Sequence, residues 1–155
     1  MNINPYWVSG FVDGEGTFYV GINKNSTMTV GYQILPEFRI VQHERDIKLL
    51  HELKKYFNCG VVRVNHDNRY ELRIRSIEHI NKIVIPHFNK YELLTQKKFD
   101  FIKFKKIINL INKNEHLSKN GLLKIIEISS QMNRKDKKKA LEIKKDILGQ
   151  DKVHA

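Results

Sequence analysis

Glu15 stands between two glycines, at the point where a pattern typical of an amphipathic helix gives way to one typical of a strand. A carboxylate is unfavourable at the C-terminal end of a helix, because the helix dipole is negative there and free carbonyl groups already point outward. A divalent cation reverses that balance, since the Glu15 carboxylate and the Gly14 carbonyl are hard oxygen ligands suited to Mg²⁺. Gly14-Glu15-Gly16 also fits a simple helix C-cap and turn. The stretch therefore predicts either a metal-binding acid or a structural cap.

The helix before Glu15 carries small residues that favour close packing against another helix. Gly10 and Gly14 stand four apart on one helical face, with Ser9 and Asp13 beside them. This spacing lets two backbones approach closely, and a second copy of the chain across a two-fold axis would bring two Glu15 side chains together. Two cations held there would activate water for in-line attack on a phosphodiester. We predict hydrolysis of a DNA backbone and a dimer interface at Ser9, Gly10, Asp13 and Gly14.

The composition favours a nucleic-acid partner. The 155 residues carry a net charge of +11, and no apolar run approaches the ~20 residues that a membrane-spanning helix needs. Cys59 is the single cysteine, which excludes an internal disulfide or a thiolate metal cluster and fits a reducing, intracellular compartment. The frequent Lys, Asn and Ile are typical of AT-rich codons, which indicates an organellar or similarly biased genome. We expect no membrane association.

The hydrophobic pattern changes period several times without a linker rich in Pro, Gly or Ser, which predicts one α+β domain over residues 1–155. Its parts are a motif helix at about 5–14, a sheet with helices at about 17–94, and a helical C-terminal part at about 95–148. The part at about 17–94 is predicted to contain two strands, a helix at 44–57, a hairpin that turns at 66–68, and a helix that ends before Pro86.

One face of the predicted sheet is apolar, and the other carries long hydrogen-bond donors. Successive side chains of a strand point to opposite sides, so the polar residues of 69–75 share one face. An ordinary solvated face is the alternative for any single arginine. Arginine, glutamine and asparagine repeat on several strands, however, and these side chains contact guanine and adenine edges. The candidate DNA-binding residues are Gln33, Arg39, Arg63, Asn65, Arg69, Glu71, Arg73 and Arg75.

The stretch VSGFVDGEG, residues 8–16, resembles the signature motif of the LAGLIDADG homing endonucleases without a gap. KYELLTQKKFDF at 90–101 and NKNEHLSKNGLLKIIE at 112–127 are similar to stretches near the helical second half of that family. The resemblance implies an αββαββα fold with an antiparallel, saddle-shaped sheet and C-terminal helices. It also implies that motif helices pair at a dimer or pseudo-dimer seam while the sheet straddles double-stranded DNA.

The same resemblance implies roles for particular residues. Glu15 is the catalytic acid and binds the metal together with the Gly14 carbonyl, Gln42 positions water or phosphate near the cut, and Lys97 is a basic residue of the active site. The implied cofactor is Mg²⁺ or another divalent cation such as Mn²⁺, with Ca²⁺ expected to bind without supporting turnover.

A single motif in the chain implies a homodimer that acts on a near-palindromic site. The resemblance then predicts a DNA endonuclease that makes staggered double-strand breaks in a long target, the activity behind intron homing and the spread of mobile elements. The alternative is a protein of the same fold that is a non-cleaving or dual-function RNA maturase, with intron RNA as partner, or a DNA-binding regulator. An intact acid at Glu15 favours the endonuclease.

Overall fold

The computed structural model of the protein describes residues 1–132 and 137–153. Over these residues, helix α1 is followed by strands β1 and β2, helix α2, strands β3 and β4, and then by helices. The first six elements are α1 (Pro5–Glu15), β1 (Gly16–Lys24), β2 (Tyr32–His43), α2 (Ile47–Phe57), β3 (Val61–His66) and β4 (Arg69–Ile74). The remaining helices are α3 (Ile77–His79), α4 (Ile85–Lys90), α5 (Lys97–Asn112), α6 (Lys119–Ser130) and α7 (Lys137–Val153).

The four strands form one antiparallel sheet in the order β1-β2-β4-β3. Within it, Phe38 of β2 pairs with Ile74 of β4, and Val61 of β3 pairs with Arg73. The α+β class and the αββαββα order predicted from the sequence are confirmed.

The chain forms two compact units from interleaved stretches. The first comprises Met1–Tyr19 and Pro36–Phe101, and the second comprises Val20–Leu35 and the described residues of Ile102–Ala155. The assignment of residues 1–155 to one domain stays a prediction.

Aromatic rings form the core of the first unit. Phe18 lies 5.2 Å from Phe38, 5.6 Å from Phe88 and 5.3 Å from Phe101, measured between ring centroids. Phe57 of α2 adds an edge-on contact to Phe38 at 5.8 Å. Buried aromatic pairs of this kind contribute about 1 kcal/mol each beyond their area. They fix the start of β1, directly after Glu15, against β2 and α2.

The hairpin between β3 and β4 turns where the sequence predicted it. Asp67 and Asn68 connect the strands, and Asp67 has a positive φ of 49°, a conformation that Asp adopts more readily than most residues. The turn is tied to the end of β2, because the backbone N–H of Glu44 donates to the Asn68 carbonyl over 2.7 Å.

The expectation that a helix ends before Pro86 is wrong. A π-helical turn at Ile80–Val84 follows α3, and α4 continues directly from it with Pro86 in its first turn. The hydrogen bonds of a π turn span five residues instead of four. Pro86 then lies in the first turn of α4, where a backbone N–H has no partner within the α-helix, so the N–H that proline lacks is not needed there. The helical segment therefore reaches Lys90, five residues beyond the predicted end at Ile85.

Helices α5, α6 and α7 account for the predicted helical C-terminal part, of which residues 133–136 lie outside the described residues. Leu122, Ile125 and Ile126 of α6 and Ile143 and Ile147 of α7 are buried in the second unit. No helix in the described ranges is long and apolar enough to cross a membrane.

Candidate active site and nucleic-acid interface

The end of α1 is shaped so that Glu15 is its last residue. Asn4 caps the first turn, where its side chain accepts a hydrogen bond from the Tyr6 N–H over 2.8 Å and Pro5 follows it. Gly16 then turns the chain into β1, and a Cβ there would lie 2.6 Å from the Val12 Cγ1 and 3.0 Å from the Val12 carbonyl oxygen. Only glycine fits this approach, so the sequence ends the helix with Glu15 exposed to solvent.

The three residues predicted to be catalytic converge on this turn. The Gln42 Nε2 donates a hydrogen bond to Glu15 Oε2 over 3.2 Å and another to the Val41 carbonyl over 2.8 Å. Lys97, at the first position of α5, donates from its Nζ to the Gly16 carbonyl. A carboxylate, an amide and an ammonium group thus meet although they are far apart in sequence. Their catalytic roles stay predictions.

Asp13 holds the segment that leads into Lys97. Its carboxylate accepts hydrogen bonds from the Leu94 N–H at 2.9 Å, the Thr95 N–H at 3.1 Å and the Thr95 Oγ1 at 2.7 Å. The Thr95 Oγ1 in turn accepts from the Lys97 N–H at 3.2 Å. Partial burial raises the pKa of Asp13, but the hydrogen bonds from Leu94 and Thr95 and the charge of Lys97 outweigh it, so that the pKa is lowered.

Two of the four residues predicted at the dimer interface are used inside the chain. Ser9 is 3% exposed and donates from its Oγ to the Tyr91 carbonyl over 2.6 Å. Asp13 bonds to Leu94 and Thr95 as described above. The place of Ser9 and Asp13 in a dimer interface stays a prediction, and the side chains of both are engaged within the chain.

Gly10 and Gly14 remain accessible and belong to a wider exposed surface. A Cβ placed at either glycine would meet no described atom within 4 Å. Trp7 and Phe11 lie on the same side at helical spacing, with their rings stacked 5.0 Å apart at 10°, and Trp7 is 45% exposed. We call Trp7, Gly10, Phe11 and Gly14 the open face of α1. A large indole beside two glycines is typical of a surface that another helix covers.

The donors at the end of α1 fit a hard divalent cation. Glu15 is exposed, and the Gly14 carbonyl belongs to the last helical turn, where carbonyl groups have no intrahelical partner. Both are oxygen donors at the negative end of the helix dipole, as Mg²⁺ or Ca²⁺ prefers. No group of three His, Cys, Asp or Glu side chains that could hold a metal occurs within the described ranges. Water and substrate phosphate are oxygen ligands that could complete the coordination of such a cation.

The strand register places the predicted DNA-binding arginines on a common face. Arg39 pairs with Arg73, and Arg63 pairs with Glu71, so these side chains share one side of the sheet. Arg69 lies on the same side of β4, and Arg75 follows one residue after its end. Arg39 also lies over the Tyr19 ring, 5.1 Å from its centroid. We call the side that carries these arginines the arginine face.

Glu71 does not behave as the exposed DNA contact that the alternation predicted. It is 4% exposed, and its Oε2 accepts a hydrogen bond from the Asn65 Nδ2 over 2.8 Å. A second buried acid, Glu37, lies on the same face and was missed, because strand alternation gives the side of a residue but not its depth. In the second unit, the Gln33 Oε1 accepts from the Asn25 Nδ2 over 3.2 Å.

Fold and site together define an α+β protein that combines an arginine-rich sheet face with a carboxylate suited to a divalent cation. A family model described as "LAGLIDADG endonuclease" matches residues 8–108. The chain therefore belongs to the LAGLIDADG endonuclease family.

Relatives and solved structures agree with this assignment. The "Probable intron-encoded endonuclease 2" of Neurospora crassa is 38% identical over 133 residues, which cover 84% of this chain and 29% of that protein. The structure of the homing endonuclease I-TnaI has a TM-score of 0.86 at 54% identity and covers 92% of this chain and 98% of its own. I-SmaMI bound to an uncleaved DNA target in the presence of calcium ions has a TM-score of 0.84 at 36% identity. That match covers 86% of this chain and 46% of I-SmaMI.

Proposed function

We propose that the protein is a site-specific homing endonuclease that makes staggered double-strand breaks in a long, near-palindromic DNA target. The observation that carries this proposal is the meeting of Glu15, Gln42 and Lys97 at the end of α1 in a chain of this family. The arginine face and the net charge of +11 support a polyanionic substrate.

The chain's own groups fit phosphodiester hydrolysis. A cation such as Mg²⁺ or Mn²⁺, held by the Glu15 carboxylate and the Gly14 carbonyl, would supply Lewis acidity and lower the pKa of bound water. Gln42 orients the Glu15 carboxylate through its amide and keeps a polar group beside the attacked phosphate. Lys97 brings a positive charge that offsets the charge developing on the phosphate oxygens. We expect Ca²⁺ to support binding without turnover.

A homodimer is part of the proposal, because the described residues form one such centre and two strands must be cut. The open face of α1 is a surface that a second copy would cover across a two-fold axis. A near-palindromic target follows from the two-fold symmetry.

The genetic setting also belongs to the proposal. A relative is named as intron-encoded, and the Lys, Asn and Ile content is typical of AT-rich codons. We propose that the protein is encoded in an intron of an organellar or similarly AT-rich genome and acts inside that compartment.

Selection of cleaved DNA from a randomised, near-palindromic library, with Mg²⁺ present, tests the function. We expect the wild-type protein to enrich one two-fold-symmetric site. Glu15→Gln should abolish cleavage yet keep DNA affinity within about tenfold, because it removes an oxygen ligand and no groove contact. Glu78→Gln is the matched control, since Glu78 is an exposed acid paired with Lys82 at 2.7 Å.

Cutting by the Glu15 variant would remove Glu15 from the mechanism. Binding without cutting by every protein would favour the maturase or regulator, and intron RNA would be tested next.

A further inference from the structure

Two buried carboxylates lie on the arginine face. Glu37 and Glu71 are each 4% exposed, and they are the only charged side chains among the buried residues of the described ranges. Burying an ionised carboxylate is costly unless opposite charges and hydrogen bonds compensate it. Their position on a surface that would face DNA needs a reason, because a negative charge there opposes phosphate binding.

Each carboxylate holds two arginines. Glu37 accepts a hydrogen bond from the Arg75 Nε at 2.8 Å through one oxygen and from the Arg39 Nη1 at 3.1 Å through the other. The Glu71 Oε1 forms ion pairs with the Arg63 Nε at 3.6 Å and the Arg73 Nη1 at 4.0 Å, and the Arg63 Nε also donates a hydrogen bond to the Val64 carbonyl over 3.4 Å. Four guanidinium groups are thereby collected around two fixed negative charges.

The cluster brings like charges close enough to interact. Burial lowers the pKa of Arg73, and the charges of Arg75 and Arg63 lower it further, whereas Glu37 and Glu71 raise it. Without the two acids the arginines would repel one another and spread into solvent. With them, the side chains lose much of their rotamer freedom before any ligand arrives, which reduces the entropy lost on binding.

The contacts with the carboxylates leave the terminal amino groups of Arg63 and Arg75 available to bind a ligand. Arg63 and Arg75 approach their carboxylates through Nε and keep 49% of their side-chain surface exposed. Arg39 and Arg73 are less exposed, at 31% and 18%. When Nε is engaged, the two terminal amino groups of a guanidinium remain as a forked pair of donors. That fork matches the O6 and N7 acceptors of guanine in the major groove.

We propose that Glu37 and Glu71 are positioning residues that preset Arg75 and Arg63 to read guanine. The inference rests on the proposed function, since it assigns the base that this surface recognises. Glu37 and Glu71 touch no base themselves. They act through the arginines, so their substitution changes the discrimination between base pairs more than the affinity for DNA.

The test compares four variants on the site that the wild-type protein selects. Glu37→Gln and Glu71→Gln remove one charge each with little change of shape, and Arg75→Lys and Arg63→Lys keep the charge but lose the fork. Binding is measured on the selected site and on each of its single-base-pair substitutions, with an unrelated duplex for non-specific affinity. Glu78→Gln is the control for loss of an acidic charge, and thermal unfolding reports whether each variant folds.

We expect Glu37→Gln to lose about tenfold of the preference for guanine at the same base pair as Arg75→Lys, and Glu71→Gln to do so with Arg63→Lys. Non-specific affinity should stay equal or rise, because each substitution removes one negative charge and raises the net charge by one. Glu78→Gln should leave the base preferences unchanged. The two lysine variants alter exposed side chains, so they keep the test decisive if a glutamine variant does not fold.

A change of equal size at every base pair would overturn the inference, because it would assign the carboxylates to stability or to bulk electrostatics. A guanine preference that survives Arg75→Lys and Arg63→Lys would also overturn it. Selection of a site whose recognition involves no guanine would defeat this inference alone. Failure of the wild-type protein to select any DNA would defeat the proposed function together with it.

Discussion

Gln42 Nε2 lies 3.2 Å from Glu15 Oε2, and this hydrogen bond joins the end of β2 to the last residue of α1. The same amide nitrogen donates to the Val41 carbonyl at 2.8 Å, so the Gln42 side chain is held at two points. An exposed glutamate at a helix end has several rotamers of similar energy. Gln42 favours the one in which the carboxylate lies beside the end of β2, and Lys97 contacts the carbonyl of the next residue, Gly16.

The first prediction concerns this orientation. Gln42→Ala should lower the cleavage rate about tenfold to a hundredfold, the range found when a partner of a metal ligand is removed, while DNA affinity changes little. Single-turnover cleavage and equilibrium binding on the same duplex measure the two effects separately. Gln150→Ala is the control, since Gln150 is exposed in α7. An unchanged cleavage rate for Gln42→Ala would show that Glu15 is oriented without it.

A second prediction concerns Asp13, which fixes the Leu94–Thr95 backbone ahead of Lys97. Asp13→Asn replaces one acceptor oxygen by a donor that faces backbone N–H groups, and it should cost about 1 to 3 kcal/mol of stability. Cleavage should fall as well, because Lys97 loses the turn that places it. Chemical denaturation and cleavage assays measure the two losses. Asp46→Asn, at an exposed acid in the turn before α2, should change neither.

The pH dependence of stability provides an independent test of Asp13. Its pKa in the folded protein is lowered from 3.8, so its contribution is fully present above that value and is lost as the pH falls through the lowered pKa. The difference in unfolding free energy between wild type and Asp13→Asn should therefore shrink as the pH is lowered from about 5 to about 2. A difference that stays constant over this range would contradict the hydrogen-bonded, ionised Asp13.

The sequence was a good guide to the site where the motif itself carries the information. Residues 8–16 placed Glu15 at a helix end, and the resemblance selected Gln42 and Lys97, which the structure brings to the same turn. The motif did not reveal that Ser9 and Asp13 form hydrogen bonds within the chain. Ser9 and Gly10 are neighbours and point about 100° apart on a helix, so they cannot both lie at the centre of one face.

The sequence pattern could not predict how deeply a side chain is buried or how the hydrogen bonds of a helix are spaced. Alternation put Glu71 on the correct side of the sheet, but its burial depends on the arginines that surround it in three dimensions. Pro86 is a helix-ending signal in a regular α-helix, and only the π turn before it makes the continuation possible. The burial of Glu71 comes from tertiary contacts that no local window contains.

A third prediction concerns His87, which burial keeps neutral. Its pKa is lowered from 6.5 to about 4, its Nε2 lies 2.9 Å from the Tyr56 Oη, and its Nδ1 is buried without a hydrogen-bond partner among the described residues. The unfolded chain binds a proton at His87 near pH 6.5, whereas the folded chain does so only near pH 4. Stability should therefore fall as the pH drops between these values, by about 3 kcal/mol at most.

His87→Phe should remove that part of the pH dependence, because phenylalanine keeps the apolar packing and cannot be protonated. The measurement is the unfolding free energy of both proteins at several pH values between about 4 and about 7. His51→Gln, at an exposed histidine of α2, is the control and should leave the slope as in wild type. Equal slopes for wild type and His87→Phe would mean that the folded protein accepts the proton at no cost.

The last prediction concerns the open face of α1 and the proposed dimer. A side chain at Gly10 meets no described atom within 4 Å, so Gly10→Leu should fold, and its helix should be no less stable than that of wild type. The added leucine would nevertheless separate two helices that pack through this glycine, and the protein should sediment as a monomer.

Gly149→Leu is a matched control, because Gly149 also lies in a helix with no described atom within 4 Å of a Cβ. We expect Gly149→Leu to keep the wild-type mass in analytical ultracentrifugation, and cleavage of both strands to be lost only in Gly10→Leu. A Gly10→Leu protein that keeps the dimer mass would place the interface elsewhere on the chain.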